Sequence, residues 1–63
     1  MDKLKLQLLQ EAFTRYGFIN LCDGRTLEEC FQPDRREEVM FFYFNLPSGT
    51  TKVVSRRINE GGA

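Results

Sequence analysis

A chain of 63 residues that is 41% apolar and 29% charged has the makings of one small core and is too apolar for wholesale disorder. Nine basic residues balance nine acidic ones and histidine is absent. That balance excludes the strongly basic character of a duplex-binding protein, and the missing imidazole removes the commonest general base and metal ligand.

Residues 2–16 carry Leu4, Leu8, Leu9, Ala12, Phe13 and Tyr16, a single stripe at the 3.6-residue period that predicts an amphipathic helix. Leu6 falls off the stripe. Asp2 suits the positive end of the helix dipole, Arg15 the negative end, and Gly17 the left-handed cap that follows. "FINLC", residues 18–22, reads as a short strand, and Asp23-Gly24 turns the chain. Two continuations compete over 25–31. A tight Asp-Gly hairpin sends the segment back as a strand, whereas Thr26 with Glu29 three places later is a capping box. Leu27, Glu28, Glu29 and Cys30 build a pleated surface poorly, so the prediction is a short helix over 27–31.

"QPDRREE", residues 32–38, reads as a polar connector in which Pro33 stops the helix. "VMFFYFNLPSGTTKVV", residues 39–54, predicts a hairpin. Pro47 presets the turn, Ser48 fits its second position, and Gly49 takes the positive φ of a one-residue bulge. The register sets Leu46 opposite Thr50, Phe44 opposite Lys52, Phe42 opposite Val54 and Met40 opposite Arg56. The expected fold is α+β: an N-terminal amphipathic helix packed on a small, mostly antiparallel three-stranded sheet, with a C-terminal β-hairpin and a short second helix. Residues 1–58 are expected to form one domain and 59–63 a disordered tail. The strand order stays open.

Strand alternation sorts the hairpin onto two faces. Met40, Phe42, Phe44, Leu46, Val54 and Ile58 make the bed for the long helix. Val39, Phe41, Tyr43 and Val53 lie on the other face, diluted by Asn45, Thr51, Ser55 and Arg57. Burying a Phe or Val contributes about 1.5–3 kcal/mol, so a small domain that leaves this second face wet forgoes several such increments. Leu27 and Phe31 are one source of cover, but a single helical turn does not shield four positions. The expectation is therefore self-association, as a homodimer, or docking of another protein, through this face or a strand edge, with Val39, Phe41, Tyr43 and Val53 as the partner-binding residues. "VMFFYF" also has the composition of an aggregating segment, and the charged block before it reads as a gatekeeper.

The alternative reading is a weak single-stranded nucleic-acid binder, with Phe41 and Tyr43 stacking bases and Arg35, Arg36, Arg56 and Arg57 contacting phosphate. The surplus of positive charge is small. Residues 39–63 hold three basic groups and one acidic, against six and eight in residues 1–38.

The remaining chemistry points away from catalysis. Cys22 and Cys30 lack the close pairing of a zinc or redox motif and read as reduced thiols of a cytoplasmic protein. Glu28 with Glu29, and Glu37 with Glu38, are sequence neighbours whose side chains diverge. "DGRT" and "PSGTT" are turns rather than phosphate loops. No cofactor or metal is expected, and neither a signal peptide nor a stretch of about 20 apolar residues suggests a membrane.

Overall fold

The computed structural model of the chain describes residues 2–58; the expected disordered tail at 59–63 lies outside them. The fold is α+β. Helix α1 (Lys3–Tyr16) precedes strands β1 (Phe31–Asp34), β2 (Val39–Asn45) and β3 (Thr51–Arg57), which form an antiparallel sheet in the order β1-β2-β3. None of the described helices is long and apolar enough to cross a membrane.

Both ends of α1 are closed as its sequence requires. The Asp2 carboxylate accepts from the Lys5 N–H at 3.0 Å, and Gly17 ends the helix at φ 74°, its N–H donating to the Phe13 carbonyl. A side chain at that φ is strained, although nothing lies within 4 Å of a Cβ placed there. Gly17→Ala therefore costs backbone strain alone, about 1 kcal/mol, and lowers the urea midpoint without changing the slope of the transition.

The hairpin has the register expected of it, with Met40 opposite Arg56, Phe42 opposite Val54 and Phe44 opposite Lys52. Gly49 takes φ 91°, and the turn is closed by Leu46 N–H donating to Thr50 O at 2.8 Å and Gly49 N–H to Leu46 O at 2.9 Å.

Two expectations change between α1 and the hairpin. Residues 18–22 form no strand; only an isolated bridge joins Leu21 to Phe44. The sheet's remaining strand is instead Phe31–Asp34, inside the stretch expected to be a connector. Nor do residues 27–31 form the expected second helix. Cys22–Gly24 and Glu28–Cys30 are single 3-10 turns. The capping box does form, with Thr26 N–H donating to Glu29 Oε1 at 2.9 Å and Glu29 N–H to Thr26 Oγ1 at 3.4 Å. It closes one turn and no more, because Cys30 and Phe31 are drawn into the core and the chain pairs with β2 from Phe31 onward.

That box has a pH signature. The Thr26 backbone N–H, then its hydroxyl, hold the Glu29 carboxyl below the usual glutamate range. A depressed folded pKa means stabilisation that is complete above the unfolded value of about 4.3 and is lost as pH falls through the folded one. Glu29→Gln is expected to flatten that portion of the acid limb when urea midpoints are compared across pH.

The core lies between α1 and one face of the sheet. Leu8, Ala12, Cys30, Phe31, Phe42, Phe44 and Val54 form one buried cluster, with Leu4, Leu9, Tyr16, Ile19, Leu21, Leu27, Met40 and Leu46 packed around it. Its spine is a row of rings. Phe31 stacks on Phe42 at 4.6 Å, Phe42 on Phe44 at 5.4 Å, and Tyr16 tilts against Phe44 at 5.3 Å. The most apolar strand thus runs down the middle of the sheet, where both of its edges are paired and its aggregation-prone backbone is occupied. Lys5 pins the Glu28 turn to the helix through a 2.6 Å bridge to Glu28. Its ammonium also sits 5.8 Å from the Phe31 ring centre.

Two members of the expected core do not join it. Phe13 is 57% exposed and Ile58 40%. A helix one or two residues wide at its contact seats Leu8 and Ala12 on a sheet of three strands. Phe13, about 100° further round the helix than Ala12, overhangs the sheet, and Ile58 lies past the end of β3.

Candidate interaction surface

Directly opposed residues of paired strands share a face, so the register assigns the side of the sheet away from α1. It carries Gln32 and Asp34 from β1, Val39, Phe41, Tyr43 and Asn45 from β2, and Thr51, Val53, Ser55 and Arg57 from β3. The four residues expected at a partner contact are brought together here. Phe41 and Tyr43 are neighbours at 6.2 Å between ring centres, and Tyr43 lies directly opposite Val53. Val39, Phe41 and Tyr43 are half-buried, whereas Val53 is 46% exposed. The two central rings gain their partial shelter from the flanking strands, and the wettest apolar position is the one on the edge strand. Leu27 and Phe31, suggested as cover for this face, pack into the core on the opposite side.

The arginines divide. Arg57 shares the face of Phe41 and Tyr43, across the sheet from Val39. Arg35 and Arg36 sit in the turn after β1, which Asp34 organises by accepting from the N–H groups of Arg36 and Glu37 at 3.0 and 3.3 Å. Arg56 points to the helix side, where its Nη2 donates to Glu11 Oε2 at 2.6 Å and Glu11 also meets Arg15 at 3.2 Å. Arg56 is thus separated by the sheet from the aromatic pair it was grouped with.

At one end of the face a polar cleft of about 460 Å³ is lined by Cys22, Asp23, Arg25, Gln32, Tyr43 and Thr51. Two of its lining residues are joined through Asn45, whose Oδ1 accepts from Thr51 Oγ1 at 2.9 Å and from Cys22 Sγ at 3.4 Å. Cys22 and Cys30 are both buried free thiols. Among the described residues no group of three or more Cys, Asp or Glu side chains is arranged to hold a metal ion. Glu28 and Glu29, adjacent in sequence, are engaged apart, one by Lys5 and the other by Thr26.

A further feature escaped the sequence reading. An open groove of about 750 Å³ runs between α1 and residues 19–27, lined by Leu9, Phe13, Ile19, Leu21 and Leu27 with Gln10 and Thr14 at its rim. The signal was the doubled stripe of Leu8-Leu9 and Ala12-Phe13, which is wider than three strands can cover. No protein-family model, curated protein or solved structure matches this chain.

Proposed function

We propose that this chain is a non-enzymatic protein-interaction module that self-associates through the aromatic sheet surface turned away from α1 or through a strand edge bordering it. The observation that supports it best is the apolar set Val39, Phe41, Tyr43 and Val53 lying on a face that α1 does not reach, with Val53 46% exposed. A second copy suits this face electrostatically. Its two charges, Asp34 and Arg57, are of opposite sign and flank Val39, so each copy offers the complement of what it presents. A net charge of zero also removes long-range repulsion between copies. The reading assigns the protein to the cytoplasm, where the two buried thiols remain reduced.

Light scattering across concentrations from about 1 µM to about 500 µM, the range of weak specific association, tests it. The expected result is a mass rising from that of the monomer towards twice that value. A folded chain that keeps the monomer mass throughout overturns it.

The nucleic-acid alternative draws support from Phe41, Tyr43 and Arg57 sharing one face, and is weakened by the engagement of Arg56 with Glu11 on the other. Titration with a labelled single-stranded oligonucleotide at low and moderate salt separates the two, since phosphate contacts weaken steeply with salt. Absence of binding at low salt removes the alternative.

A further inference from the structure

The two edges of the sheet differ in a way that side-chain burial does not reveal. In an antiparallel ladder, opposed residues alternate between pairs that exchange hydrogen bonds and pairs that do not. Leu46 N–H bonds Thr50 O at one end of the β2–β3 ladder and Ile58 N–H bonds Glu38 O at the other. With the β2–β3 register, this makes 44/52, 42/54 and 40/56 the bonded pairs. The even-numbered residues of β3 therefore face β2. Thr51, Val53, Ser55 and Arg57 direct their N–H and C=O groups to the open side of the sheet, and all four are exposed.

On β2 the odd-numbered residues then face the other way, as Asn45 N–H donating to Asn20 O shows. Across the β1–β2 register, Gln32 and Asp34 bond to β2, and Phe31 and Pro33 turn outward. Neither offers a donor there. The Phe31 N–H is already given to Glu28 O, and Pro33 has none. The β1 edge is closed, while the β3 edge is seven residues long without proline or glycine.

We infer that β3 pairs antiparallel with β3 of a second copy about a two-fold axis at Val53, joining two three-stranded sheets into one. This deepens the self-association reading and rests on it. Two open edges per chain would propagate a fibre; one open and one closed edge stop at two copies.

Charge selects the register. Centring the pair on Val54 sets Lys52 against the second copy's Arg56, and centring it on Lys52 opposes two lysines; like charges directly opposite are unfavourable. Centring on Ser55 sets Val53 against Arg57. Centring on Val53 places Thr51 against Ser55 and Lys52 against Val54, with no basic residue facing another. Val53 then meets Val53, and the row Tyr43–Val53 continues across the axis into Val53–Tyr43. The most exposed apolar residue of the face gains its cover from its own counterpart.

Val53→Pro tests this, because it removes an outward donor while leaving every bond to β2 in place. It is expected to weaken dimerisation at least about tenfold, as two symmetry-related hydrogen bonds are lost together. Val53→Lys, which opposes two ammonium groups across the axis without touching the backbone, does the same. In the native chain, amide exchange at Thr51, Val53 and Ser55, the outward residues that this register pairs within β3, slows with rising concentration, read residue by residue by NMR.

Three results overturn the inference. A native chain that stays monomeric removes it together with the self-association reading. A native dimer that survives Val53→Pro and Val53→Lys but dissociates in Phe41→Asp keeps self-association and rejects the edge as the contact. Exchange at these three amides that is independent of concentration in a chain that dimerises rejects it as well.

Discussion

Phe42→Ala is expected to unfold the chain. The Phe42 side chain is fully buried and stacks between Phe31 at 4.6 Å and Phe44 at 5.4 Å. It belongs to the central strand and faces Val54 across the ladder. Truncating a buried phenylalanine costs about 3–5 kcal/mol, part lost transfer free energy and part unfilled cavity. At about 0.05–0.15 kcal/mol per residue, a domain of this length has about 3–9 kcal/mol in all. The core here is one row of rings under one helix, so few neighbours are free to collapse into the hole. Far-UV circular dichroism and urea denaturation measure the effect. The control is Phe13→Ala, the same chemical change at a residue 57% exposed, expected to cost less than about 1 kcal/mol. Equal losses at the two positions would refute the assignment of the core.

The second large effect distinguishes adjacent residues of one strand. Val54→Pro removes an N–H that faces β2 opposite Phe42 and replaces a buried side chain. The facing carbonyl in the ladder is left unpaired, at about 1–3 kcal/mol, and the lost packing of a buried valine adds to it, together much of the stability available. Val53→Pro places the same ring one residue earlier, where the missing N–H faces solvent in a lone molecule. Prolines are tolerated at such edge positions, and the molecule already has one in Pro33. The expected result is an unfolded Val54→Pro and a folded Val53→Pro, by circular dichroism at low protein concentration. Because the contrast depends only on which way each N–H points, the opposite order would show that the ladder is shifted by one residue.

Much of this arrangement was legible in the residues. The turn chemistry of Pro47, Ser48 and Gly49 left one register for the hairpin. Asp2 and Gly17 marked the ends of α1, and Thr26 with Glu29 marked a capping box, although it closes one 3-10 turn rather than the helix expected over 27–31. Each is a short-range pattern whose energy is settled within a few residues. The partner face followed from the hairpin, since alternation alone puts Val39, Phe41, Tyr43 and Val53 on one side.

What went astray needed knowledge of distant neighbours. "FQPD" lacks the composition of a strand, and Pro33 argues against one. It pairs because the outer flank of Phe42 was vacant, because Phe31 stacks on that ring, and because the proline faces the open side. "FINLC" has the better strand pattern yet adds only a bridge, since the place beside Phe42 is taken. Phe13 fits the helical stripe but overhangs a sheet whose width no local pattern reveals.

The sequence by itself therefore determined the elements whose stability is local, namely the capped helix, the capping-box turn and the hairpin with its two faces. Only the tertiary structure decided which segment completes the sheet, which edge stays open, and how much of the helix is covered. Those outcomes depend on competition among remote segments for one strip of β2 and one apolar face, and a competition is resolved by packing rather than by the propensity of any single contender.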